Sequence, residues 1–247
     1  ADNKGSITDR LPSIPRQKNG KRIALIGGGP ASLTVARDLA PLGYQIDLYD
    51  SQPAGGGFMR SQIPSFRLPP EVLDEEVDYV LNMGIQSHFD TYVESLKSVI
   101  DKGYDAIFVG TGAPRGSDLD LPGRQECEKQ IHVGIEWLES VAFEHIQKVG
   151  KRVLVLGGGN TAMDCCRTAR RLGGEDVKVV VRSEFARMKA SPWEIEDAQE
   201  EDIPILNNHV PKAFVHEDGK LTGMRFDKVD VVYDSAGKRN LVPTGEE

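Results

Sequence analysis

The sequence is poor in the residues that build disulfide frameworks, metal centres and membrane spans. Cysteine occurs three times in 247 residues, as Cys127, Cys165 and Cys166. None of these pairs has the C-x-x-C spacing of a zinc, iron–sulfur or redox-disulfide site, which argues against a reductase of the thioredoxin reductase type. Adjacent cysteines rarely bridge each other, so a reducing compartment is expected. The five histidines (His88, His132, His145, His209 and His216) are scattered without paired metal spacing and read as surface or satisfied structural residues. No apolar run approaches the ~20 residues that cross a bilayer. Residues 1–20 are polar and contain prolines, with no apolar stretch of the signal-peptide kind. The expectation is a cytoplasmic protein without membrane insertion. Basic residues are also short, 30 Lys and Arg against 38 Asp and Glu for a net charge of -8, which argues against a nucleic-acid partner. No Ser/His/Asp arrangement stands out, and Glu126, Glu128 and Glu136 show no pairing suited to acid–base work. The acidic run from Glu194 to Asp202 reads as a solvated helix face.

The sequence does contain one local pattern twice. Arg22 to Ile26 is a short apolar run of the kind a buried parallel strand needs. It ends in Gly27-Gly28-Gly29-Pro30, a helical stretch follows from Ala31 to Ala40, Gly43 closes it, and Gln45 to Asp50 supplies the next strand. The order recurs as strand Arg152–Leu156, turn Gly157-Gly158-Gly159-Asn160, helix Thr161–Leu172 stopped by Gly173-Gly174, and strand Val177–Val181. A β-turn-α-β order of this kind belongs to a doubly wound α/β fold. Between the two copies lie a Gly/Pro-rich loop (Pro53 to Pro70), a helix (Glu71 to Met83) and a strand, Ala106–Val109. After the second copy, Leu221 to Val232 alternates as in a hairpin, with Asp234 to Gly237 as its turn.

A glycine turn that feeds a parallel strand into a helix leaves helix N–H groups unpaired, and the helix dipole adds positive charge there. Such a turn stabilises a pyrophosphate. In the first copy Gly27 and Gly29 fill the first two glycine positions and Ser32 the third, where a small residue is needed. Asp50, about 20 residues on, ends the second strand where a ribose-binding carboxylate belongs. The second copy has Gly157, Gly159 and Ala162, and its second strand ends in Arg182-Ser183 instead of an acid. Arginine offers a planar donor fork to a 2′-phosphate, and Arg187 and Lys189 add charge nearby. NADP(H) is therefore expected there, with NAD(H) as the alternative.

With these residues in view, the chain resembles the small (beta) subunit of glutamate synthase and its relatives, which include the flavin portion of dihydropyrimidine dehydrogenase. The resemblance runs from Lys21 to about Gly223. It is carried by Ile26-Gly27-Gly28-Gly29-Pro30-Ala31-Ser32, Gly56-Gly57, Ile63-Pro64-Ser65-Phe66-Arg67-Leu68-Pro69, Gly110-Thr111-Gly112-Ala113, Leu121-Pro122-Gly123 and Gly157-Gly158-Gly159-Asn160-Thr161-Ala162-Met163-Asp164. It implies that the first copy binds FAD. Gly27, Gly29 and Ala31, with Pro30 and Ser32 in the same turn, would lie at the pyrophosphate, and Asp50 at the adenosine ribose. Ile63, Pro64, Arg67 and Leu68 would line the flavin and its phosphates, with Gly56 and Gly57 in the same cofactor set. Val93 would contact the adenine, and Thr111, Gly112 and Ala113 would form a second FAD-facing turn. The second copy would bind NADPH through Gly159, Asn160, Thr161, Arg182 and Lys189. Many relatives carry Arg-Arg where this chain has Arg182-Ser183.

The resemblance implies two Rossmann-like dinucleotide-binding domains, an FAD domain interrupted by an NAD(P)-binding domain. The expected division is an arm at 1–20, the first part of the FAD domain at 21–125, the nicotinamide domain at 126–235, and the start of a return to the FAD domain at 236–247. Relatives also carry an N-terminal cysteine-rich iron–sulfur domain and a C-terminal Gly-Asp segment. Neither is in this sequence, so the expectation is a fragment or a chain completed by a partner. The implied function is an FAD-dependent NAD(P)H oxidoreductase module that exchanges electrons with iron–sulfur clusters of a partner subunit in a multisubunit complex. The rival expectation is a nucleotide-binding scaffold without turnover.

Overall fold

The computed structural model describes residues 12–247; residues 1–11 of the expected arm lie outside them, and 12–20 form no regular element. Two compact units divide the chain between Pro114 and Arg115. The first contains β1 (Arg22–Ile26), α1 (Pro30–Leu39), β2 (Gln45–Tyr49), α2 (Phe58–Ser61), α3 (Pro70–Leu81), β3 (Gln86–His88), α4 (Leu96–Ile100) and β4 (Ala106–Val109). Its strands form one parallel sheet in the order β3-β2-β1-β4. Proline at the first position starts α1 without loss, since that N–H has no intrahelical partner. A short 3-10 turn then ends at Gly43 in the left-handed region.

Alternation assigns the two faces of this sheet. Ile23 and Leu25 of β1 and Ile46 and Leu48 of β2 pack with Leu33 and Ala36 of α1 and Leu73 and Val77 of α3. The other face carries Ala24, Ile26, Tyr49 and Val99 of α4, and at its rim a polar cluster. Asp47, nearly buried, accepts from Arg22 Nη2 at 3.2 Å and lies 3.0 Å from His88 Nε2. The Tyr49 ring stacks on His88 with centroids 4.6 Å apart, and its hydroxyl is 2.8 Å from that of Tyr104. Burial alone pushes the Asp47 carboxyl up, but hydrogen bonds from His88, Tyr104 and Arg22 together hold it below the usual carboxylate range.

The second unit contains α5 (Gly134–Ala142), β5 (Arg152–Leu156), α6 (Asn160–Arg171), β6 (Asp176–Val181), α7 (Pro192–Glu200), β7 (Ile205–Asn207), β8 (His209–Glu217), β9 (Lys220–Tyr233) and β10 (Arg239–Pro243). Strands β5, β6 and β7 form a parallel sheet in that order, and β8, β9 and β10 an antiparallel one. The core joins Trp137 of α5, Met163 and Cys166 of α6, Val179 of β6 and Ile195 of α7. Both sheets of the α/β arrangement that hold the glycine turns are thus parallel. Among the described residues no helix is long and apolar enough to cross a membrane.

Several elements depart from the sequence reading. The loop from Pro53 to Pro70 contains α2, and β3, α4, α5, β7 and β8 are elements that the sequence reading lacks. The acidic run is not simply a solvated face. Glu194 is 4% exposed and lies 3.3 Å from Arg167 Nη1, which also meets Asp197 at 2.7 Å, while Arg167 Nε donates to Glu201 at 2.9 Å. Glu194, Asp197 and Glu201 thus turn toward a buried guanidinium of α6, while Glu196, Glu200 and Asp202 remain exposed.

The Asp47 cluster gives a pH-dependent prediction. A carboxyl held low contributes fully above the unfolded value of about 3.9 and loses that contribution as pH falls through the folded value. Asp47→Asn is expected to destabilise the protein at pH 7 by about 1 kcal/mol, because Arg22 and His88, both partly exposed, lose a charged acceptor. Urea titrations should show that difference narrowing as pH falls below about 3.9. A gap of constant size would refute the assigned role.

Candidate functional site

In the first unit the turn after β1 is closed by backbone contacts that only glycine permits. Gly27 has φ +97, and a Cβ there would stand 2.5 Å from the Gly110 carbonyl oxygen. Gly27 N donates to Tyr49 O at 2.7 Å and Gly110 N to Ile26 O at 2.8 Å, so the ends of β1, β2 and β4 meet at the turn. A Cβ on Gly57, at φ +51, would stand 2.7 Å from the Gly29 Cα, and Gly56 N donates to Gly28 O at 2.9 Å. Three glycine loops, 27–29, 55–57 and 110–112, therefore converge at the carboxyl ends of parallel strands.

Ser32 explains how the missing third glycine is accommodated. It is wholly buried, and a Cβ on Gly110 would lie 2.5 Å from its Oγ. The space that a third glycine normally leaves for close packing is provided by Gly110 on the facing strand instead. Asp50 Oδ2 accepts from Gly28 N, and Oδ1 from Gln52 N at 2.8 Å. A carboxylate has about four lone-pair sites, so acceptor capacity remains on Asp50 for ribose hydroxyls. Val93 belongs to the segment after β3 that runs beside it, with Thr91 N donating to Asp50 O at 2.8 Å, and it packs against Ala24, Ile26 and Tyr49. Ile63, Pro64, Arg67 and Leu68 are half-buried on a turn after α2, closed by Arg67 N and Leu68 N on Pro64 O. Leu68 packs on the α1–α3 side of the sheet. Thr111, Gly112 and Ala113 are exposed at the end of this unit, beyond the Gly110 contact.

The second turn follows the same plan. Gly157 has φ +138, and a Cβ there would be in ordinary contact, 3.6 Å, with Ala162 Cβ. The middle glycine is required too, since a Cβ on Gly158 would lie 2.8 Å from Val181 Cγ1, as one on Gly28 would lie 2.9 Å from Asp50 Oδ2. The repeated Gly-Gly-Gly already signals this requirement, which a G-x-G template overlooks. By contrast, a Cβ on Gly159 would meet nothing within 4 Å, and one on Gly29 only the Gly57 Cα at 3.9 Å. Gly29 and Gly159 are the N-caps of α1 and α6. Neither helix end has a side-chain cap or an acidic residue in its first turn. Thr161 is half-buried in the first turn of α6, and the Asn160 side chain bonds Ser191. Arg182, Arg187 and Lys189 are exposed on the loop after β6, and Ser183 is half-buried there. Arg187 lies 3.4 Å from Glu184 and 5.5 Å over the Tyr233 ring. Arg182 and Lys189 form no ion pair among the described residues.

The three cysteines are buried and unbridged. Burial pushes the Cys166 thiol up to about 12, and raises Cys165 likewise with help from the neighbouring Asp164. Thiols held protonated are poor nucleophiles, so neither suits dithiol exchange.

Comparison with known proteins agrees with this geometry. The family model described as pyridine nucleotide-disulphide oxidoreductase matches residues 21–240. The chain is 33% identical over 229 residues to the NADP(+)-dependent formate dehydrogenase subunit beta of Moorella thermoacetica, covering 91% of this chain and 32% of the relative. It is 29% identical over 242 residues to the small chain of the NADPH glutamate synthase of Azospirillum brasilense, covering 92% of this chain and 50% of that one. The chain thus spans a third to a half of the length of these relatives. Among solved structures, Mycobacterium tuberculosis FprA in complex with NADPH superposes with a TM-score of 0.74 at 16% identity, over 92% of this chain and 67% of that one. That likeness is one of fold. On the family match and its relatives, the chain belongs to the pyridine nucleotide-disulphide oxidoreductase family, together with the small chain of glutamate synthase.

Proposed function

We propose that the chain is an FAD-dependent NAD(P)H oxidoreductase module with two Rossmann-like dinucleotide-binding domains. FAD would be held by the first glycine turn and NADPH by the second. The observation that carries this reading is the pair of uncapped helix N-termini, each behind a glycine whose missing Cβ leaves room for a ligand and not for the protein's own atoms. In the first unit Gly27, Gly29, Pro30, Ala31 and Ser32 would present the α1 N-terminus to the pyrophosphate, and Asp50 would accept from the ribose. Gly56 and Gly57 buttress that turn. Ile63, Pro64, Arg67 and Leu68 would face the flavin side, Val93 the adenine, and Thr111, Gly112 and Ala113 the second FAD-facing turn. In the second unit Gly157, Gly159, Thr161, Ala162 and the backbone of Asn160 would cradle the nicotinamide dinucleotide. Arg182, Ser183, Arg187 and Lys189 would face its 2′-phosphate.

Bound FAD supplies the interchange between two-electron and one-electron chemistry, and the protein's share is binding, orientation and electrostatics. Relatives named as a beta subunit or small chain support a partner. In this reading an iron–sulfur subunit of a multisubunit redox complex takes or returns the electrons. We place the complex in the cytoplasm, where three free buried thiols suit a reducing environment.

The purified chain is expected to be yellow, to release FAD on denaturation, and to lose its flavin absorbance under anaerobic NADPH faster than under NADH. A chain that binds nicotinamide nucleotide but shows no flavin turnover would favour the nucleotide-binding scaffold, and one that takes up neither FAD nor nicotinamide nucleotide would overturn both readings.

The glycines make a sharper contrast. Gly159→Ala, at a negative φ with open space, should leave the thermal midpoint unchanged or raise it slightly, as such changes stabilise by about 0.4–1 kcal/mol. It should nevertheless weaken NADPH binding about tenfold or more, a loss of at least ~1.4 kcal/mol. Gly27→Ala should instead destabilise the protein by roughly 2 kcal/mol or more through strain at positive φ and the Gly110 clash. If Gly159→Ala binds NADPH as tightly as the parent chain, the second cradle is not the site.

A further inference from the structure

In both units the carbonyl of the middle glycine accepts from the loop that follows the second strand. In the first, Gly56 N donates to Gly28 O at 2.9 Å; in the second, Lys189 N and Ala190 N donate to Gly158 O at 2.8 and 2.9 Å. The loop after β6 therefore returns to the turn it started beside. The second unit adds a side-chain link with no counterpart in the first, where the equivalent first helical residue is Pro30. The backbone N–H of Ser191 donates to Asn160 Oδ1 at 2.8 Å, and Asn160 Nδ2 lies 3.4 Å from Ser191 Oγ. A backbone donor can be met only by the amide oxygen, so this bond also settles which way the Asn160 amide faces. Ser191 is the N-cap of α7. The link thus ties the start of α6 to the start of α7, and the segment between β6 and that second anchor carries Arg182, Arg187 and Lys189.

We infer that the Asn160 side chain is a positioning residue for nucleotide selection: it fixes the returning loop, and through it the three cations, for a phosphate monoester on the ribose. It does not itself hold the dinucleotide. Its amide oxygen is held by the Ser191 N–H, which turns the side chain toward the returning loop while its backbone stays at the turn. A pre-set loop spares the ordering of long cationic side chains when the phosphate arrives, and that ordering is what erodes affinity in a mobile loop. The effect falls on the 2′-phosphate alone, because the diphosphate meets the turn and not the loop. The inference rests on the second unit being the nicotinamide nucleotide site.

The test uses two fragments that differ only in the group at issue, adenosine 2′,5′-bisphosphate and 5′-AMP, titrated calorimetrically into the full chain. Asn160→Ala is expected to weaken the bisphosphate about tenfold and 5′-AMP by less than about twofold. Ser191→Pro removes the same donor from the other side, and Ser191 at φ -60 and ψ 141 already has proline-compatible angles. It should reproduce the loss, and the double variant should show no further loss, since both changes break one link. Retained 5′-AMP binding shows that each variant is folded. Equal weakening of both fragments by Asn160→Ala, or full additivity in the double variant, would make Asn160 a ligand and overturn the inference. A parent chain that favours neither fragment over buffer would overturn the nicotinamide reading, and this inference with it. A parent that prefers the bisphosphate beside variants that keep that preference overturns the inference alone.

Discussion

Backbone touching backbone at the carboxyl ends of parallel strands is the constraint on which the molecule depends. The Gly27 and Gly110 loops, and the Gly57 and Gly29 backbones, lie closer than any Cβ allows. The main chain therefore lines these edges, and the N-terminus of α1 that opens onto them has no side-chain cap. Such an edge binds phosphates by its peptide dipoles and needs no cation of its own. It also spares the interior a charge that would need compensation. The small-residue requirement belongs to the contact and not to a sequence position, which is why Ser32 is accepted once Gly110 faces it.

Where the protein does bury charge, it surrounds it. Arg167 of α6 is met by Glu194, Asp197 and Glu201, and Asp47 of β2 by Arg22 and His88. Both clusters sit away from the glycine turns. A buried pair adds little net stability over an apolar packing of equal volume, but removing one partner leaves an uncompensated charge. The α6–α7 cluster therefore tends to keep those two helices in register. In the same unit, the Asn160–Ser191 link joins the starts of the same helices. Two independent ties thus hold α6 and α7 together beside the second glycine turn.

Much of this was legible in the residues. The apolar strand runs, the helices that follow each glycine turn, and the closing glycines are local signals, and the elements begin and end within a residue or two of where they were read. The turn signal at Asp234 was sound as well: its Oδ1 accepts from Ala236 N and Lys238 N at 2.9 Å each. Part of what escaped had no periodic signature. Strand β3 is three residues long and polar (Gln86–His88), and its strand character comes only from pairing with β2. Glu194 looked solvated because helical charge patterning cannot reveal that a guanidinium 27 residues earlier points at it.

The sequence by itself determined the two β-turn-α-β units, the glycines at their turns and the acid or arginine that ends each second strand. Those features follow from φ preference, side-chain size and charge over a few neighbouring positions, and such local physics is written in order along the chain. Tertiary structure alone decided which loops meet at each turn, that Gly110 compensates for Ser32, and that Asn160 reaches Ser191. Those contacts join residues 28 to 83 positions apart, and the chain brings such residues together only when the sheet and its helices close on a shared core.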